Sequence, residues 1–111
     1  MITDLTYLKN MTEGNAELIQ EMIDIFTVQV KEYTKNMKEF YQRKNWTELS
    51  RLAHKAKSSV AIMGMDDLAE MLKKFEMLAM DKKDVEKYPE YIKRFIEDCA
   101  RACEELKNTQ I

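Results

Sequence analysis

The chain has 111 residues, of which 34% are charged and 45% hydrophobic, and a formal net charge of −2. That length fits a single domain over residues 1–111, and it can bury a core without disulfide or metal staples. The balanced charge excludes a chain-wide basic footprint for nucleic acid, and no apolar run is long enough to span a membrane.

The opening MITDLTYLKN has neither the cationic lead nor the apolar core of a signal peptide, so a cytoplasmic location is expected. Glycine and proline are scarce, while Met, Leu, Glu and Lys are plentiful. That bias favours helices over sheets.

A short helix is predicted from about Asp4 to Met11, with Asp4 as N-cap and Leu5 and Leu8 turned inward. TEGN breaks the pattern, and Asn15 can cap the next helix. From Ala16 to Arg43 the apolar positions recur as Leu18, Met22, Ile25, Phe26, Val30, Tyr33, Met37 and Phe40, in steps of three and four. This predicts one very long helix or two nearly collinear ones. Asn45 with Glu48 has the form of a capping box opening a helix from Trp46 to about Met63. Gly64 is the expected left-handed stop.

Asp66 or Asp67 then starts a helix carrying Leu68, Met71, Leu72, Phe75 and Leu78, and DKKD makes the last turn. The final helix carries Tyr88, Ile92, Phe95, Ile96, Cys99, Cys103 and Leu106, with Pro89 confined to its first turn. Cys99 and Cys103 align with that apolar stripe, and no second Cys or His pair accompanies them, so they read as core and no metal site is expected. Short connections between long helices predict an all-α, antiparallel up-down four-helix bundle with a short extra N-terminal helix.

The stretch LSRLAHKAKSSVAIMGM holds the only histidine, His54. At about 100° per residue, Leu49, Leu52, Ala53, Ala56, Val60 and Met63 form the core face, and His54 lies roughly 140° from its centre. The imidazole is therefore expected in solvent. Ser50, Ser58, Ala61 and Thr47 are placed around it, a low floor of short side chains. Arg43, Lys44, Arg51, Lys55 and Lys57 concentrate positive charge nearby, against Glu48 alone. Lys57 at i+3 can reach an anion held on the ring, and Ser58 at i+4 can donate a hydrogen bond to it.

An exposed imidazole near neutral pH offers a free lone pair, which suits phosphoryl transfer to and from its nitrogen. Positioning and charge neutralisation do most of the work in such transfer. The chain has no glycine-rich phosphate loop or Walker-type motif, so the phosphoryl donor would be another protein.

At these residues the sequence resembles a histidine-containing phosphotransfer (HPt) domain of two-component phosphorelays. AHKAKSSVAIMGM supplies His54, Lys57, Ser58, Ser59 and Gly64 in the family's order. YLKNMTEGNAELIQEMIDIF, NWTELSRLAH and LAEMLKKFE extend the likeness over most of the chain. Ser58 stands where the family often has glycine, and Lys31 stands near the place of a frequent proline.

The resemblance implies a four-helix bundle with an exposed phosphoacceptor, His54, and with Lys57 balancing the phosphoryl charge. It implies receiver domains of response regulators, or a hybrid sensor histidine kinase, as partners. It also places Mg²⁺ on the partner receiver, with no cofactor on this chain. The protein would then be a stand-alone phosphocarrier without kinase activity of its own.

Arg51 and Lys55 read as rim charges steering an acidic partner, and Ala61 with Ile62, which falls outside the core stripe, as partner contacts. Neither nucleic acid nor membrane is an expected partner, and a monomer is expected. The competing reading is a non-phosphorylated helical adaptor that binds a partner through an exposed bundle face, with His54 incidental. An autonomous enzyme is disfavoured, because no second acid, base or metal cluster accompanies the histidine.

Overall fold

The computed structural model describes residues 1–109. Helix α1 spans Thr6–Met11, α2 Ala16–Gln42, α3 Trp46–Ile62 and α4 Asp66–Asp81; a 3₁₀ turn at Val85–Lys87 leads into α5, Tyr88–Lys107. The four long helices run alternately up and down. Each packs on the next, and α5 closes the ring against α2. Among the described residues there is no strand.

The connections form where the side chains favour them. Asn15 accepts from the Leu18 N–H at 3.0 Å and caps α2. Asn45 accepts from the Glu48 N–H at 3.3 Å at the start of α3. Only that half of the expected capping box forms, because the Glu48 carboxylate turns to Arg51 at 2.7 Å. Asp4 is not the N-cap residue of α1, which is Leu5, but its carboxylate accepts from the Thr6 N–H at 2.9 Å and serves the same orphan donor. Pro89 sits in the first turn of α5, where no helical donor is lost.

The core joins all five helices: Leu8, Ile19, Phe26, Met37, Leu49, Ala53, Ala56, Leu72, Phe75, Phe95 and Cys99 are essentially sealed. Trp46 packs edge-on against Tyr88, which in turn meets Phe75. Cys99 is buried and Cys103 half-buried, in line with the core stripe of α5.

In the first half of α2 the inward stripe is Ile19, Ile23 and Phe26, while Leu18 and Ile25 are exposed. Phe26 is buried as expected, but ahead of it the inward positions fall one residue after Leu18 and Met22, and Ile25 faces out. Leu18–Met22–Ile25 and Ile19–Ile23–Phe26 have the same 4,3 spacing, so periodicity alone could not choose between them. Contacts made across the bundle decide it.

Gly64 ends α3 in a Schellman arrangement. The Met65 N–H reaches the Val60 carbonyl and the Gly64 N–H the Ala61 carbonyl, both at 3.0 Å. Its φ of +73° is one reason for glycine, and the N-terminal strap is a second. Residues ahead of α1 cross this turn, with the Asp4 N–H bonded to the Met63 carbonyl at 3.0 Å. A Cβ on Gly64 would lie 2.1 Å from the Asp4 carbonyl oxygen. The other end of the strap is tied to α5: Glu105 accepts from the Ile2 N–H, the Thr3 N–H and the Thr3 hydroxyl at 2.8, 3.1 and 2.8 Å. The α3–α4 turn is thereby pinned from outside, which fixes how the two helices that carry the site face each other.

Candidate functional site

Helix α3 turns its Leu49–Ala53–Ala56–Val60 face inward, which leaves His54 on the outside with 60% of its side chain exposed. The ring does not stand alone. Nδ1 lies 3.0 and 3.2 Å from the two carboxylate oxygens of Glu76 on α4. Lys57 Nζ lies 3.2 Å from the same carboxylate. Glu76 thus bridges the histidine and the lysine across the α3–α4 seam.

Glu76 has only 17% of its side chain exposed and Lys57 27%, so this pairing is less screened than an ordinary surface contact. Burial pushes the Glu76 carboxyl up, but the hydrogen bonds from His54 and Lys57 and their charges outweigh it, and the net shift is downward. An ionised carboxylate only accepts hydrogen bonds, so the imidazole hydrogen belongs on Nδ1. In the neutral ring that tautomer leaves the lone pair on Nε2, which makes no hydrogen bond among the described residues.

Ser50 shows why Glu76 sits there. The sequence pattern places Ser50 on the outer face one turn before His54, but it is only 4% exposed. Its hydroxyl donates to the main-chain carbonyl of Glu76 at 2.9 Å. At this position α4 covers a side of α3 that the wheel, drawn for a single core direction, leaves in solvent. The bond sets the register of the two helices and brings the carboxylate one turn along, beside His54.

Of the other expected site residues, Ser58, Ala61, Arg51 and Lys55 are exposed. Ile62 is half-buried and packs partly on the core, so it is less free than its angle suggested. Ser58, Ala61 and Ile62 line one wall of an open groove, and Tyr7 and Asn10 of α1 line the other. The positive cluster is partly neutralised: Arg43 pairs with Glu39, Arg51 with Glu48 and Lys57 with Glu76.

Glu76 is the residue that motif reading misses. Its signal is present in the register. The turn at Gly64 is tight, His54 lies ten residues before it and Glu76 twelve after, so an antiparallel hairpin brings them level.

A family model described as the Hpt domain matches residues 21–109. The chain belongs to the Hpt domain family. No curated protein and no solved structure matches it. Hpt domains are helical phosphocarrier modules of two-component phosphorelays, and the all-α bundle here is of that kind. Within this Hpt chain the matched span contains the whole of α3, α4 and α5 and most of α2, and so includes His54, Lys57 and Glu76. Among the described residues no helix is long and apolar enough to cross a membrane, and no group of three or more His, Cys, Asp or Glu is placed to hold a metal ion.

Proposed function

We propose that this Hpt domain carries a phosphoryl group on His54 between the aspartates of receiver domains. The observation that carries the reading is an exposed imidazole whose Nδ1–H is held by Glu76. In such a ring, when neutral, the lone pair is on Nε2, the nitrogen that Glu76 does not hold.

In the loading step Nε2 forms a bond to the phosphorus of the receiver's acyl phosphate. The O–P bond breaks and the aspartate leaves with that electron pair. The ring takes up one positive charge, which the Glu76 carboxylate balances through the Nδ1–H. Onward transfer is the same step reversed onto another aspartate. Lys57, one turn along, neutralises charge on the bound phosphoryl group, and Ser58, at i+4 from His54, is the candidate to donate a hydroxyl hydrogen bond to it. Glu76 acts as a positioning residue.

Mg²⁺ belongs, in this reading, to the acidic pocket of the receiver, and the chain itself needs no cofactor. Arg51 and Lys55 steer that acidic partner, and Ala61 with Ile62 supplies apolar contact beside the ring. The domain works as a monomer in the cytoplasm, as a shuttle that cannot phosphorylate itself from ATP.

The test is incubation with a receiver domain loaded by acetyl phosphate, followed by intact mass. A single acid-labile, alkali-stable phosphate on the wild type and none on His54→Gln is expected. His54→Gln should still fold, because the ring is mostly exposed and the Gln amide can donate to Glu76 in its place. Binding to receivers without any transfer would instead favour the non-phosphorylated adaptor.

A further inference from the structure

In the unphosphorylated protein Lys57 is already occupied. Its ammonium sits on Glu76 Oε1 at 3.2 Å, and the same carboxylate holds the ring. A phosphoryl group on Nε2 would lie on the far side of the imidazole from Glu76. The lysine that is to serve it must therefore give up, or share, its existing partner.

We propose that Glu76 competes with the phosphoryl group for Lys57, and so limits how far the phosphohistidine accumulates. The inference rests on the phosphocarrier reading above, and it concerns the poise of that site rather than its existence.

Three observations support a true competition. Lys57 and Glu76 are both largely covered, so their attraction is only partly screened. Glu76 cannot drift away when the lysine leaves, because the Ser50 hydroxyl holds its backbone and His54 holds its carboxylate. The lysine, in contrast, is a flexible chain with three donors that can be aimed at either anion. Loading therefore transfers one cation from a fixed carboxylate to a new dianion. The lysine's bond to Glu76 is weakened or lost in the same step. A domain built this way holds its phosphoryl group less tightly than one whose lysine stands free, and passes it on more completely.

The equilibrium constant for exchange between phospho-receiver and His54 reads this directly. It should be measured for the wild type, Glu76→Gln, Lys57→Ala and the double variant. Gln keeps an acceptor for Nδ1–H but drops the charge. Effects of Glu76 on the ring or directly on the phosphoryl group are common to both lysine backgrounds and cancel in the cycle.

With Lys57 present, Glu76→Gln should favour the loaded state about fivefold more than it does with Lys57→Ala, the upper end for a partly exposed ion pair. Thermal melts of each variant separate this from loss of fold, since a merely structural Glu76 would change stability without changing that ratio. Equal effects in the two backgrounds, or none in either, would overturn the competition while leaving His54 as phosphoacceptor. A wild type that takes no phosphate at all would remove the reading beneath it as well.

Discussion

Two glycines in this chain have nearly the same backbone angle and different surroundings. Gly64 has φ +73° and Gly14 φ +74°. An alanine at either must adopt a left-handed conformation, which costs about 1 kcal/mol. At Gly14 nothing lies within 4 Å of the added Cβ, so that is the whole effect. At Gly64 the Cβ would fall 2.1 Å from the Asp4 carbonyl oxygen and 2.7 Å from the Asp4 Cβ. Both are too close to persist, and the N-terminal strap must lift. Lifting it breaks the Asp4 N–H bond to the Met63 carbonyl and strains the hold of Glu105 on Ile2 and Thr3.

One or two such bonds contribute about 1–2 kcal/mol net. Gly64→Ala should therefore lose about 2–3 kcal/mol, against about 1 kcal/mol for Gly14→Ala. Urea unfolding monitored by circular dichroism measures both, read as midpoint shifts at constant slope. Repeating the pair in a chain lacking residues 1–4 should shrink the excess at Gly64 to near zero. Equal losses for the two glycines in the 111-residue chain would show that the strap adds nothing to the turn's need for glycine there.

Three further outcomes are expected. Burial raises the Glu105 carboxyl, but its hydrogen bonds from Ile2 and Thr3 prevail and hold it below the ordinary glutamate value. Its contribution is therefore present above the unfolded-state value and is lost as pH falls through that range toward the lower folded one. Glu105→Gln should cost about 2 kcal/mol at pH 7 and flatten the acid limb of stability against pH, and an unchanged acid limb would exclude the clamp. Ser50→Ala should lose about 1 kcal/mol in the same urea assay, and no loss would mean that its bond to the Glu76 carbonyl does not hold the α3–α4 seam. Lys57→Ala should slow phosphoryl transfer by roughly tenfold, the effect of about 1.4 kcal/mol at the barrier, without abolishing it; unaltered single-turnover kinetics would remove the lysine from the mechanism.

Much of the architecture can be read from local chemistry. The apolar periods, the Asn15 and Asn45 caps, the Gly64 stop and Pro89 in a first turn are each decided within a few residues, and each appears in the fold. The misreadings concern which side of a helix its neighbours cover. Leu18, Met22 and Ile25 share a spacing with Ile19, Ile23 and Phe26, and only packing across the bundle separates the two sets. Ser50 looks like surface from α3 alone, and is buried because α4 lies over it.

The site divides in the same way. His54 and Lys57 belong to one helix and are legible from spacing. Glu76 belongs to another, and its role depends on a register that a sequence motif does not state. The positive cluster is overread for a similar reason, since Glu39, Glu48 and Glu76 return to neutralise Arg43, Arg51 and Lys57.

In the proposed transfer, His54 takes the phosphoryl group at the nitrogen that Glu76 leaves free. Nitrogen-15 and phosphorus-31 NMR of the protein after reaction with a loaded receiver tests it most directly. One phosphorus signal coupled to His54 Nε2, with the hydrogen retained on Nδ1, is expected. Phosphorus bonded to Nδ1, or no phosphorus on the ring while the receiver discharges, would contradict it.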